Sequence, residues 1–338
     1  MADQETTEPS TKRLTTEVAD GVHALLGPVN SLIIEGPENG AVLIDSGQDA
    51  DAGKRIRKAL DQLGRTPTAL VNTHSHADHF GGNAYLVRRY PALEILAPEF
   101  ESAIITTPFL EPVYLFHGAS PLKELRSKWL QGPPSPVHRE IGAGAVEIGG
   151  VQLELVDLRG HAHRQLGVRF GDFLFAADGV FGDATLQRYP LPFAQDVSDQ
   201  LTSFDVLDEL AFNGTEHNTR PVVAMLPGHG ELTTGSERIG ELVQRNRETV
   251  QRAAEVVLAA CSRTATDDRR SDGSVDDGGA STEDVLAFTA RELGLEMNDL
   301  PRFHLNLCTV SAYLAHLRRA GRIEPLAAAG RLTWRVSA

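Results

Sequence analysis

Short apolar runs bounded by turn residues open the patterned part of the chain: GVHALLG, NSLIIEG and, after the turn PENG, AVLIDSG. Runs of this length between Gly, Pro and Asn predict antiparallel strands of an edge meander. The period then changes. In DADAGKRIRKALDQLG an acidic start precedes Ile56, Leu60 and Leu63 at helical spacing, and Gly64 marks the stop, so a helix is predicted. TALVNT is the next strand, NAYLVRRY a helix and LEILAP another strand.

The pattern loosens between residues 99 and 140, where prolines surround the amphipathic piece SPLKELRSKWLQ, and this stretch reads as a cap or insertion. Order returns with AVEIGGVQLELVDLRGH and LGVRFGDFLFAADG, two hairpins turning at IGG and GD. A helix, LTSFDVLDELAFN, and a strand, PVVAMLPGHG, follow. Strand groups alternating with helices in two similar halves predict two sheets packed face to face with helices outside, an α+β fold of four layers, αβ/βα. Beyond residue 240 the character is helical: the long SERIGELVQRNRETVQRAAEVVLAACSR, then STEDVLAFTARELG with a capping signature at Ser281 or Thr282, then NLCTVSAYLAHLRRAG. RIEPLAAAGRLTWRV adds two short strands, so residues 241–338 predict a small helical, winged-helix-like domain. The polar, Gly- and Asp-rich DDRRSDGSVDDGG between the first two of these helices reads as a mobile loop, and residues 1–15 as a disordered tail.

Composition narrows the setting. The 338 residues, 41% hydrophobic, suffice for one large and one small domain with a real core. A formal net charge of −14 disfavours polyanionic partners on average. Two cysteines, Cys261 and Cys308, make neither a disulfide framework nor a Cys-rich zinc site. MADQETTEPSTKR lacks an apolar signal core, and no run approaches the roughly 18–20 apolar residues of a membrane span, so the expectation is a cytoplasmic protein without membrane contact.

The chemistry sits where strands end. THSHADH places His74, His76, Asp78 and His79 just past an apolar run. The same event recurs three times: LELVDL ends in RGHAH with His161, FLFAA ends in Asp178, and VVAML ends in PGHG with His229. AVLI ends in Asp45. Imidazoles and carboxylates are zinc ligands, and two clusters from one short loop suit paired metals, with Asp178 available between them. His163 rivals His161, and Asp183 rivals Asp178, of which only Asp178 sits directly after the apolar strand.

THSHADH, RGH, FAADG and PGHG, in this order, resemble the HxHxDH and later ligand motifs of the metallo-β-lactamase-fold hydrolases, over about residues 16–235. The resemblance implies a catalytic domain over 16–240 with the cap at 99–140. It implies that His74, His76 and His161 hold a first metal, Asp78, His79 and His229 a second, and that Asp178 bridges them. Asp45 resembles the family's aspartate that orients the ligand loop. Two divalent ions per chain are expected, zinc by ligand type, with iron or manganese able to take the same set. HAHRQLG after RGH departs from the usual continuation of that motif.

The aspartate at position 178 sets the chain apart from β-lactamases, which commonly carry Cys or Ser there, and resembles the glyoxalase-II-like, thioesterase, lactonase and nuclease branches. The C-terminal module resembles the β-lactamase-like protein 2 group. The expected reaction is hydrolysis of a thioester, ester or lactone of a small-molecule acyl substrate through a metal-bridging hydroxide, with Asp78 and Asp178 as the catalytic carboxylates. The alternatives are a nuclease acting on RNA or DNA and, as a lesser one, a mononuclear iron persulfide dioxygenase. The nuclease reading draws on Arg302, Arg318, Arg319, Arg322, Arg331 and Arg335, which face one acid, Glu324, within residues 302–338. The same arginines could instead contact a second copy in a homodimer. For the substrate, Tyr114, His117, Lys123 and Arg126 in the cap, and Arg188 and Tyr189 after the Asp178 strand, are the weaker candidates.

Overall fold

The computed structural model describes residues 13–215, 217–262, 279–328 and 330–337. Most of the expected N-terminal tail and nearly all of DDRRSDGSVDDGG lie outside the described residues. Two sheets carry the fold. The first has seven strands in chain order: β1 (Thr16–Ala19), β2 (Val22–Leu25), β3 (Ser31–Glu35), β4 (Gly40–Ile44), β5 (Thr66–Val71), β6 (Glu94–Pro98) and β7 (Arg139–Ile141). The second has six: β8 (Gly144–Ile148), β9 (Val151–Asp157), β10 (Leu166–Phe170), β11 (Phe173–Ala177), β12 (Ala224–Pro227) and β13 (Thr233–Thr234). The meander β1–β4 is antiparallel, as its turns dictate, and β4 to β7 run parallel. In the second sheet the hairpins are antiparallel and only β11 and β12 pair in parallel.

Alternation along the strands builds two cores per sheet. Ile34, Val42, Ile44 and Val71 of the first sheet meet Leu153, Leu155, Val168 and Phe175 of the second in one buried cluster. The opposite face of the first sheet, Ile33, Leu43 and Leu70, buries Ile56, Leu60 and Leu86 of the helices α1 (Ala50–Leu63) and α3 (Asn83–Arg89). Helix α1 begins where Asp49 accepts hydrogen bonds from the Asp51 and Ala52 amides, and it stops at Gly64 in the left-handed region, φ 65°. A single turn, α2 (Ala77–Phe80), lies between them and carries Asp78 and His79. The cap holds only short helices, α4 (Glu101–Thr106) and α5 (Leu110–Leu115), with a 3-10 turn over Lys123–Arg126.

The outer face of the second sheet is covered by α7 (Val197–Phe212) and α8 (Ser236–Cys261), with the short α6 (Asp183–Arg188) at the sheet's ligand-bearing end. Beyond them come α9 (Thr282–Leu293), α10 (Leu300–Arg319) and the hairpin β14 (Ile323–Ala328) and β15 (Arg331–Val336). Ser281 and Asp284 form the capping box that starts α9. Leu174 and Met225 of the sheet, Phe204 of α7, Val250 of α8 and Val310 and Leu314 of α10 belong to one continuous apolar cluster. The C-terminal helices therefore share their core with the second sheet.

Candidate metal centre

Strand direction brings the polar groups together. Strands β4 and β5 point the same way in one sheet, as do β9, β11 and β12 in the other, and their ends carry the polar positions to a common edge. The two edges are tied: the Leu166 amide donates to the Thr73 carbonyl, and Asn30 Nδ2 donates to the carbonyls of Pro227 and Gly230. Two non-glycine residues at strand ends, Asp45 (φ 56°) and Ala177 (φ 46°), adopt the left-handed region, where L side chains are uncommon. The turn at Ala177 aims Asp178 into the cluster.

Three overlapping sets of side chains have ligand atoms within 4.8 Å of one another: His74, His76 and His161; His74, His79 and Asp178; Asp78, His79 and His229. Asp178 joins them. Its Oδ1 lies 3.3 Å from His79 Nε2, and its Oδ2 lies 3.4 Å from both His161 Nε2 and His229 Nε2. His229 Nε2 is 3.2 Å from Asp78 Oδ2. Charge-assisted hydrogen bonds are shorter, about 2.7–2.9 Å. Two atoms each bound about 2.0–2.1 Å from one tetrahedral ion lie about 3.3–3.4 Å apart. His74 Nε2, His79 Nε2 and Asp178 Oδ1 are buried without a hydrogen-bond partner, a costly arrangement that an ion among them would relieve. The donor set fits a divalent metal.

The outer nitrogens are each committed. His79 Nδ1 lies 2.8 Å from Asp45 Oδ2, His161 Nδ1 is 2.9 Å from the Phe193 carbonyl, and His229 Nδ1 is 2.7 Å from the Pro28 carbonyl. Asp45 also accepts from the Thr73 amide and hydroxyl, both at 2.8 Å, and the Thr73 hydroxyl lies 3.0 Å from His74 Nδ1. Such partners fix which ring nitrogen faces inward. His76 differs, presenting Nδ1 at 2.8 Å from His161 Nε2. Gly228 completes the cradle, since a Cβ there would collide with Asp178 Oδ1 and come within 2.9 Å of His79 Cε1.

Burial holds His74 well below the usual imidazole value, His76 down to about 4 and His161 down to about 3, so this trio stays neutral and ready to ligate. The second trio differs. Burial opposes the charged form of His229 and His79, yet Asp178 outweighs it, with Asp78 and, for His79, Asp45 adding to the pull. His229 rises to about 10 and His79 well above its usual value. Burial likewise opposes the carboxylates of Asp178 and Asp78, but His229 and His79 hold both below the usual range. Positive charge is drawn to this spot, as a metal site requires.

The rivals lie elsewhere. His163 is exposed, its amide donating to Gln195 Oε1 and its ring facing Phe100, and Asp183 pairs with Arg245 at 2.7 Å. A cleft of about 640 Å³ opens beside the ligands, between α6, the loop after it and α10. Arg188 and Tyr189 line it, with the Arg188 guanidinium 5.3 Å over the Tyr189 ring. Tyr114, His117, Lys123 and Arg126 are placed off this wall. Tyr114 accepts from Gln195, the His117 ring faces His304, Lys123 is exposed, and Arg126 lies over Phe109. Trp129 of the cap and Arg302 of the arginine-rich segment are also on the cleft wall. Glu101 and Glu111 were not singled out at all. Glu101 is buried and accepts from the Ser75 amide and hydroxyl with one oxygen and from the Arg164 amide with the other, joining the two histidine loops. Glu111 is buried on the cleft wall, its carboxyl raised well above the usual value by burial and then by Asp78 and Glu101. A lone Glu in a loosely patterned segment carries no sequence signal for either role.

Residues 24–212 match the Metallo-beta-lactamase superfamily, which is more than half of the chain. The chain belongs to that superfamily. A hydroxyacylglutathione hydrolase of Serratia proteamaculans (strain 568) is 33% identical over 226 residues, 64% of this chain and 75% of that protein. One from Xylella fastidiosa (strain 9a5c) is 27% identical over 146 residues, so the match spans 43% of this chain and 43% of the relative. A beta-lactamase domain protein from Burkholderia ambifaria superposes with a TM-score of 0.68 at 19% identity, over 98% of this chain and 96% of its own. That likeness shows the fold, and it extends through the C-terminal helices.

Proposed function

We propose that this member of the superfamily is a dinuclear metal-dependent hydrolase of a thioester, ester or lactone. The observation that carries the dinuclear reading is Asp178, whose two oxygens face His79 on one side and both His161 and His229 on the other. His74, His76 and His161 would hold one ion and Asp78, His79 and His229 the other, with Asp178 shared. When bound, such ions supply Lewis acidity and a water acidic enough to deprotonate near neutral pH. A hydroxyacylglutathione is itself a thioester, so the relatives' names support the same bond type.

The chain's own residues supply positioning. Asp45 and Glu101 fix the loop that presents His74 and His76, while Asp178 and Asp78 are the carboxylates placed to orient a water and accept its proton. In the overall change, the water oxygen bonds to the acyl carbon, the carbon–sulfur or carbon–oxygen bond breaks, and the leaving group departs with one of the water's protons. Phe181 and Phe193 flank the ligands, their rings 5.5 and 5.6 Å from that of His161, and keep bulk water off that side. The nuclease reading draws less support from the arginine-rich segment. Arg302, Arg319, Arg322 and Arg335 each lie against a carboxylate of this chain.

Elemental analysis of the purified protein beside Asp178→Ala, with a thioester panel, tests the proposal. About two metals per chain, falling in the variant together with thioester turnover, are expected from a shared ligand. One iron per chain would replace the dinuclear reading with the dioxygenase, and nuclease activity without thioester turnover would replace the acyl substrate.

A further inference from the structure

Burial divides the cleft beside the metal centre. Phe181 and Leu191 on its wall are buried, and Leu186, Phe193, Leu295 and Leu305 are half-buried. The charged and amphipathic groups Arg188, Tyr189, Trp129, Glu296 and Arg302 stand exposed at its rim. Two inner rings touch the ligands themselves: Phe193 lies 5.3 Å from the His76 ring, and Phe181 6.2 Å from that of His229. Hydroxyls on the wall are spent, Thr309 donating to the Leu305 carbonyl at 3.0 Å and Thr185 to that of His229 at 3.4 Å. Glu111 and Asn306 are the polar side chains left beside the ligands. A carbonyl that reaches the ligands therefore brings its substituent mostly against phenyl and leucine carbon, where a polar substituent would lose its water and find few partners beyond Glu111 and Asn306.

We infer that the substituent on the acyl side of the scissile bond is a bulky apolar chain or ring, held between α6 and α10, and that the C-terminal helices set this preference. The inference rests on the hydrolase reading above and names its substrate class. A cleft of about 640 Å³ is in the range that encloses a ligand of drug size. Leu295 and Leu305 come from the α9–α10 loop and from α10, whose first turn is fixed by Asp299 accepting from the Arg302 amide. Leu305 is backed by the buried Leu115, Leu125 and Leu130 of the cap, so the wall is supported on its far side.

The test is kcat/KM of the metal-loaded protein on N-acetylcysteamine thioesters from acetyl to octanoyl, with a hydroxyacylglutathione as the polar comparator. The constant leaving group isolates the acyl side. Each added methylene is expected to raise kcat/KM about three- to fourfold until the wall is filled, or on the order of a hundredfold from acetyl to hexanoyl. Leu305→Trp should flatten the series, lowering hexanoyl relative to acetyl at least about tenfold, with metal content and thermal melt unchanged. Should that variant fail to fold, Leu295→Trp probes the same wall from the loop. A flat series, or hydroxyacylglutathione preferred with no gain from chain length, overturns the inference and leaves the hydrolase reading intact. No turnover of any thioester, nor of oxygen esters and lactones of the same acyl chains, overturns that reading and the inference with it.

Discussion

The candidate metal ligands and the cleft wall beside them are built in opposite ways. Each ligand follows a strand in a sheet, and its aim is fixed by neighbours close at hand: Asp45 on His79, the Phe193 carbonyl on His161, the Pro28 carbonyl on His229. The wall is assembled from α6, the cap and α10, each contributing a few side chains from segments that pair with neither sheet. Rigid strand ends suit the reacting groups, which tolerate little displacement. Selectivity, resting on packed helices and loops, can change without disturbing them.

The sharpest way to break the ligand side is to fill its cradle. Gly228→Ala drives a methyl group into Asp178 and His79. Metal content should fall and thioester turnover drop by more than about a hundredfold, beyond the ten- to hundredfold that altering a ligand's outer partner brings. Normal metal content in this variant, by elemental analysis, would mean that Asp178 is not held where the cluster needs it.

Asp45→Asn and Glu101→Gln come next. Both leave the ligands in place and weaken what orients them, so metal affinity measured against a competing chelator should fall about ten- to hundredfold. The two test different joints. Asp45 holds Thr73 and His79 within one sheet's edge, whereas Glu101 links Ser75 to Arg164 across the two histidine loops. A Glu101→Gln protein with unchanged chelator competition would restrict that carboxylate to the cap.

These pairs also show what a sequence can reveal. The strands were legible because apolar runs of β length end at Gly, Pro or Asn, and the candidate ligands because they cluster just past such runs. Asp178 was separable from Asp183 by its place directly after the strand, and His161 from His163 by its resemblance to the family's Gly-His motif, and the structure brings Asp178 and His161 into the cluster. Glu101 was not legible, because its partners are backbone amides 26 and 63 residues away and no spacing encodes them. The cap was less legible for a related reason. SPLKELRSKWLQ has helical spacing, but only Lys123–Arg126 forms a 3-10 turn; Leu125 is buried while Leu122 and Trp129 are exposed. Prolines on both sides deny it the length a helix needs, and Trp129 faces the cleft instead.

The smallest effect is expected where charge joins the wall to the catalytic sheets. Arg319 near the end of α10 lies 2.7 Å from Asp196, which also caps α7 by accepting from the Ser198 and Asp199 amides. The guanidinium is half exposed, so Arg319→Ala should cost only about 0.2–1 kcal/mol at neutral pH by urea denaturation. Burial raises the pKa of Asp196, but the Arg319 hydrogen bond and the amides bring it below its model-compound value of 3.8. A depressed carboxylate contributes its stability above the unfolded pKa and loses it as the pH falls through the folded one. The cost of the substitution should therefore hold steady from neutrality to about pH 5 and vanish in stronger acid. A cost well above 1 kcal/mol, or one that survives when Asp196 is protonated, would mean that this contact does more than a surface ion pair can. If the cost stays small, α10 is held by Val310, Tyr313, Leu314 and Leu317 in the shared core, and the cleft wall keeps its shape across the pH range in which the metal ligands work.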